Sequence, residues 1–154
     1  MANTPLLVLT GKDTIAVDSM PMVNLGSGDV FVAEFPNDVS SVEIGKNGNI
    51  VAALNQQGQK CEVTIKCLRG SPEDIYLNSR EQQWNVDPSN FVSYTGNFVK
   101  RLGDGTGATV GDNIIAAFGV PKKNPGMKEN TSGDPAQAQV EHYITFGQAI
   151  RAII

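Results

Sequence analysis

The sequence predicts a mostly-β domain with one α-helix and long loops, and three observations carry that prediction. Short apolar runs alternate with clusters of Gly, Asn, Asp, Ser and Pro along the chain, which is how an all-β domain reads. The 16 glycines follow no strict period, so they point to turns and loops and not to a collagen-like repeat. A single segment, Ser71-Pro72-Glu73-Asp74, opens like a helix. With 154 residues and 40 % hydrophobic content, the chain suits one domain, 1–154, with a core that needs no disulfide staples.

Taken in order, the expected strands are 6–10, 14–17, 30–35, 42–44, 50–54, 61–68, 91–99, 114–120 and 140–154, the last interrupted at Gly147. Turn signals separate them: Asn24 to Asp29 with Gly26 and Gly28, Pro36-Asn37-Asp38, Lys46-Asn47-Gly48-Asn49 and Gln56-Gln57-Gly58-Gln59. Asn47-Gly48 is the strongest hairpin signal, because a type I′ turn needs positive φ at both central residues. Val30-Phe31-Val32-Ala33-Glu34-Phe35 and Ile114-Ile115-Ala116-Ala117-Phe118 are apolar on both faces. A lone antiparallel sheet has one polar face, so these strands lie between layers or are covered by another subunit.

The helix is expected from Pro72 to about Trp84, with Ser71 as N-cap, proline in the first turn and acidic residues beside the positive end of the helix dipole. Ile75, Tyr76 and Trp84 are its expected anchors, with Asn78, Ser79, Glu81 and Gln82 outward. Glu73 and Asp74 are read as first-turn residues and not as a catalytic pair, since neighbours on a helix point about 100° apart. Two long glycine- and proline-containing loops, 101–113 and 121–138, are candidates for reaching neighbouring molecules. Their residues of interest are Arg101, Gly103, Gly105 and Gly107 in the first, and Lys122, Lys123 and Lys128 in the second.

Chemical signatures are sparse. Cys61 and Cys67 alternate with Glu62, Thr64 and Lys66 in a period-2 strand, so both thiols share a face about 20 Å apart. That separation rules out a disulfide, or zinc held by the pair, and leaves two buried thiols. His142 is the only histidine, and it shares a strand face with Val140, Ile144 and Phe146 while Glu141 faces the other way. Gly103-Asp104-Gly105-Thr106-Gly107 fits neither phosphate-loop fingerprint, and the nucleophile-elbow, zinc-protease and EF-hand patterns are absent from the sequence. No catalytic, cofactor-binding or metal site is therefore expected, and the chain does not read as an enzyme.

The net charge of -4 gives no electrostatic reason for a nucleic-acid or anionic-membrane partner. The acidity is concentrated before residue 61, where Lys12, Lys46 and Lys60 face Asp13, Asp18, Asp29, Glu34, Asp38 and Glu43. Neither a signal peptide nor a membrane span is visible, so the chain is expected to fold in the cytoplasm of the producing cell.

One ordered series of segments carries a family resemblance. Asp29-Val30-Phe31-Val32-Ala33-Glu34-Phe35-Pro36 leads to Val42-Glu43-Ile44-Gly45-Lys46-Asn47-Gly48. The Cys61–Leu68 strand, the Ser71-Pro72-Glu73-Asp74 helix start, a strand over 91–100, two long loops and a terminal strand ending Gly147-Gln148-Ala149-Ile150 follow. Over essentially the whole chain this resembles the tail tube proteins of contractile-tailed bacteriophages. The resemblance implies an antiparallel β-sandwich or barrel with one flanking helix. It further implies hexameric rings stacked into a hollow tube inside a sheath, with sheath and baseplate proteins as partners, in the tail of a virion assembled in the bacterial cytoplasm. Such a tube conducts DNA during ejection without binding it specifically, and a mildly acidic wall would let DNA slide.

Two other readings remain. A tube subunit of a non-phage contractile device, such as a type VI secretion system or a tailocin, shares the fold and ring logic. A ligand-binding β-domain would use the glycine-rich loops as a mouth, but at 6 % aromatic residues it has little to line a pocket with.

Overall fold

The computed structural model describes residues 6–26, 30–127, 133 and 135–153. The strands are β1 (Val8–Leu9), β2 (Thr14–Val17), β3 (Met20–Pro21), β4 (Phe31–Glu34), β5 (Ser40–Ile44), β6 (Ile50–Leu54), β7 (Cys61–Leu68), β8 (Tyr94–Gly103), β9 (Thr109–Lys123) and β10 (Gln139–Ile153). Helix α1 (Pro72–Val86) lies between β7 and β8. An antiparallel sheet runs in the order β3-β2-β8-β9-β10-β7-β4, with β1 pairing the end of β8, and β5 and β6 form a separate two-stranded sheet. Mostly β, antiparallel, with one flanking helix: the expected class holds. No described helix is long and apolar enough to cross a membrane.

The main sheet curls. Phe31 on β4 and Phe98 on β8 have ring centroids 4.6 Å apart, although three strands lie between them in the sheet order. In a flat sheet four strand spacings would separate them by about 19 Å. Phe98 in turn meets Phe146 on β10 edge-on at 6.0 Å, so these rings lie inside the curl. Val17, Ile65, Tyr94 and Ile144 complete the middle of the core, and Leu77 reaches it from the helix.

The inner face of the long strands changes phase at one rung. On β10 the buried positions run Val140, His142, Ile144 and Phe146, then jump to Ala149. On β9 they are Ala116 and Gly119. Gly147 and Phe118 lie opposite each other where the phase slips, Phe118 has φ of +57°, and the β8–β9 register shifts between Tyr94 and Gly96. A bulge of this kind bends a strand and re-aims its side chains, which lets β9 and β10 turn the corner of the curl. The expected interruption at Gly147 is thus a change of facing within a continuous strand.

Several expectations need correction. The 101–113 segment is a hairpin, with 101–103 in β8, 109–113 in β9 and a tight turn between. The 121–138 segment is strand as far as Lys123 and ends in a short 3-10 turn, Pro135–Ala138. Gly, Asp and Thr there read as loop, yet cross-strand partners on β1, β8 and β10 satisfy the backbone. The β5–β6 hairpin exists, but Asn47 is not left-handed and only Gly48 is, so its turn is not type I′. Lys128, Gly28, Asp29 and Ile154 lie outside the described residues.

Helix α1 is capped as expected: Asp74 N donates to Ser71 Oγ at 3.3 Å, with Pro72 in the first turn. Its buried stripe is not the expected one. Glu73, Leu77 and Glu81, spaced by four, face the sheet, while Ile75 is 63 % exposed and Glu81 only 2 % exposed. Carboxylates occupy two of three inward positions because partners on other elements receive them. Tyr76 and Trp84 are half-buried at the flanks, Trp84 edge-on to Phe91 at 5.3 Å.

Candidate assembly surfaces and a buried polar cluster

The β5–β6 hairpin stands off the curled sheet with every residue exposed. Its register puts Ser40, Val42, Ile44, Ile50, Ala52 and Leu54 on one face and Ser41, Glu43, Val51 and Ala53 on the other. The first face is apolar and has no cover within the described chain: Val42, Ile44, Ile50 and Leu54 are 53–77 % exposed. An isolated two-stranded hairpin is marginal in water, and an apolar face of this kind marks a surface that another element covers.

The base of the arm is built to hold a direction. Asn55 N donates to Val39 O at 2.9 Å, closing the hairpin neck. Gly58 packs directly beneath it; a Cβ there would lie 2.8 Å from Val39 Cα and 2.9 Å from Asp38 O. A second exposed apolar group lies on the outside of the curl, where Ile115 and Ile150 face each other across β9 and β10, with Phe118 beside them at 65 % exposed. Strand β4 forms one edge of the main sheet and β3 the other, leaving backbone groups that a further strand could pair.

The residues singled out from the sequence do not gather in one place. Arg101 is exposed but bonds its own chain, donating from Nη1 to Lys12 O at 2.8 Å and Thr14 Oγ1 at 2.7 Å. Gly103 pairs with Val8, while Gly105 and Gly107 sit in the β8–β9 turn with φ of +84° and +92°. Lys122 and Lys123 lie at the opposite end of β9, Lys122 paired with Glu62 at 3.2 Å and Lys123 over the Tyr143 ring at 4.4 Å. The uncovered arm lies outside both long loops, and its sequence reads as an ordinary strand pair around the Asn47-Gly48 turn.

Acidity before residue 61 is partly used inside the molecule. Asp18 accepts from Tyr76 Oη at 2.7 Å and Thr95 N at 2.9 Å and lies 3.4 Å from Arg80 Nε. Asp13 pairs with Lys100 at 3.1 Å. Glu34, Asp38 and Glu43, on the β4–β5 side, make no ion pair among the described residues.

Beneath α1 lies a polar cluster that sequence reasoning did not find. His142 is 1 % exposed, as its apolar strand face predicts, but its ring is held between two helix carboxylates. Nδ1 hydrogen-bonds Glu81 Oε1, and Nε2 lies 2.7 Å from Asp74 Oδ1. Burial alone would lower the histidine pKa; Cys67, Glu81 and Asp74 outweigh it and hold the ring at about 10. The imidazolium is therefore the neutral-pH form. Glu73 plays a separate part, accepting from Val23 N at 3.3 Å and Asn24 Nδ2 at 2.9 Å, so it ties the helix start to the 22–25 segment. Glu141 faces away as expected, accepting from Tyr143 Oη at 2.5 Å. The pairing of Glu81 with His142 had no sequence signal beyond an acidic residue four positions from Leu77.

Comparison with known proteins adds the decisive observation. No family model and no curated protein matches the sequence. Solved structures do match. A chain of the sheath–tube complex of an extracellular contractile injection system, PVC, in its extended state superposes with a TM-score of 0.57 at 12 % identity, covering 96 % of this chain and 92 % of that one. The fold is tail-tube-like. The tube-terminating cap of the anti-feeding prophage superposes equally well, with a TM-score of 0.58 at 11 % identity over 96 % of this chain and 91 % of the other. One neighbour is named as part of a sheath–tube complex and the other as a tube-terminating cap.

Proposed function

We propose that this chain is a structural subunit of the tube of a contractile tail, closing into hexameric rings that stack into a hollow conduit. The observation that carries the reading is the β5–β6 arm, whose apolar face is uncovered in the single chain. Stacked neighbours supply the missing cover, and the β3 and β4 edges supply complementary surfaces through which rings close. In this reading the 104–108 turn, with Gly105 and Gly107, and the segment after Lys123, including Lys128, meet adjacent rings. Sheath and baseplate proteins are the outer partners, and DNA passes through the lumen without specific contacts, as in a phage virion. The acidic residues that remain unpaired before residue 61 fit a wall from which DNA does not adhere.

A second reading shares the tube and differs in cargo. The first neighbour above is named as part of an extracellular contractile injection system, which favours a non-phage contractile device.

Negative-stain microscopy beside a sizing measurement, over a range of concentrations, tests the tube reading. Rings or tubes are expected from the natural chain, and Val42→Ser with Leu54→Ser should abolish stacking while far-ultraviolet circular dichroism stays unchanged. A natural chain that is monomeric at every concentration overturns the reading.

A further inference from the structure

We propose that Cys67, Asp74 and His142 form a site for one divalent transition-metal ion of the zinc class, reached from the groove beside helix α1. The proposal stands independently of the tube reading.

Three different elements deliver the donors: β7 the Cys67 thiol, the first turn of α1 the Asp74 carboxylate, and β10 the His142 imidazole. Their ligand atoms all lie within 4.8 Å of one another. A sulfur, a nitrogen and a carboxylate oxygen are together the donor set of a borderline-soft ion such as zinc. Around a tetrahedral ion with bonds of about 2.0–2.3 Å, such donors sit roughly 3.2–3.8 Å from one another. Asp74 Oδ1 and His142 Nε2, now 2.7 Å apart, need to separate by only a fraction of an ångström.

Three further features favour an ion over a purely structural cluster. Glu81 hydrogen-bonds Nδ1 of His142 and so leaves Nε2 to face Asp74, the arrangement in which a carboxylate orients a metal-bound histidine. Glu81 is 2 % exposed and its second oxygen, Oε2, has no hydrogen-bond partner among the described residues. Two carboxylates flank one imidazolium, which leaves one net negative charge beside buried groups; a divalent ion offsets it by displacing the protons of His142 Nε2 and the Cys67 thiol, which pass to solvent through the groove. Finally, Asp74 and His142 line a groove of about 370 Å³ together with Asn78, Asn124 and Met127, which provides an entry path and room for a water at the fourth position.

Cobalt titration of the metal-free, reduced full chain reads the site directly, since thiolate bonding to Co²⁺ produces a near-ultraviolet charge-transfer band and tetrahedral geometry an intense visible envelope. One Co²⁺ per chain with both bands, displaced by Zn²⁺, is the expected result. Cys67→Ser should remove the charge-transfer band, and Cys61→Ser should leave it. Glu81→Gln should weaken binding about 10- to 100-fold and keep the band at saturation, because it orients a ligand and is not one. If Cys67→Ser fails to fold by circular dichroism, the natural chain and Asp74→Asn decide: a band in the first that weakens in the second supports the site. No band in the natural chain at millimolar Co²⁺, or a band that survives Cys67→Ser and is lost in Cys61→Ser, overturns it.

Discussion

Glu81 on helix α1 hydrogen-bonds Nδ1 of His142 on β10 across 61 residues of sequence, and both side chains are buried. The contact joins the only described α-helix to the centre of the curled sheet. Removing one member leaves the other desolvated with one fewer partner. Glu81→Leu should therefore lower stability by about 3 kcal/mol in urea denaturation of the metal-free chain. Glu81→Leu combined with His142→Leu should cost clearly less than the two single changes added, as coupled neighbours do. Additive losses would show that the pair does not act as a latch.

Gly119 faces Phe146 at the corner of the curl. A Cβ at this position would fall 2.7 Å from Phe146 Cε1 and 2.8 Å from Tyr94 Cβ, neither of which can retreat from the core. Gly119→Ala is expected to cost about 1–3 kcal/mol through overpacking, seen as a lower thermal midpoint. An unchanged midpoint would mean the corner is looser than its distances imply.

Burial pushes the Cys61 thiol up to about 11, with the Glu62 charge adding to the effect and a backbone hydrogen bond at Glu34 opposing it. At pH 8 only roughly a thousandth of this group is thiolate in the folded chain. Iodoacetamide should modify Cys61 in the folded chain no faster than the chain unfolds, as followed by mass spectrometry. Modification at the rate of a free peptide thiol would contradict the burial.

Strands β2 and β3 are joined by Asp18 and Ser19, both left-handed with φ of +52° and +65°. This is the type I′ geometry that favours glycine, and Ser19 bears a Cβ there without evident compensation. Asp18 earns its position through bonds to Tyr76 and Thr95. Ser19→Gly should raise stability by about 1 kcal/mol, whereas Asp18→Gly should lower it, both measured by thermal denaturation. Destabilisation by Ser19→Gly would count against this turn geometry.

Strand β7 and the start of α1 were legible because their signals are local. The alternation of Cys61, Val63, Ile65 and Cys67 against Glu62, Thr64 and Lys66 sets which side chains share a face, and its burial follows that pattern. Ser71 followed by Pro72, Glu73 and Asp74 satisfies the orphan amides of a helix start without help from elsewhere. The β2–β3 hairpin was not legible, since Asp18-Ser19 lacks the Asn-Gly or Asp-Gly signature. Nor was the β8–β9 hairpin, whose glycines read as loop until β1 and β10 pair with it.

What the amino-acid order determined by itself was therefore the inventory: mostly strands, one capped helix, two thiols on one face and a buried histidine. Tertiary structure alone decided which helix residues face inward, placing Glu73 and Glu81 where Ile75 was expected. It also decided that β5 and β6 leave the sheet and that β9 and β10 change facing at Phe118 and Gly147. The reason is range. Alternation and capping are settled within a few residues, whereas a buried carboxylate is tolerable only beside a partner that folding brings from 61 positions away.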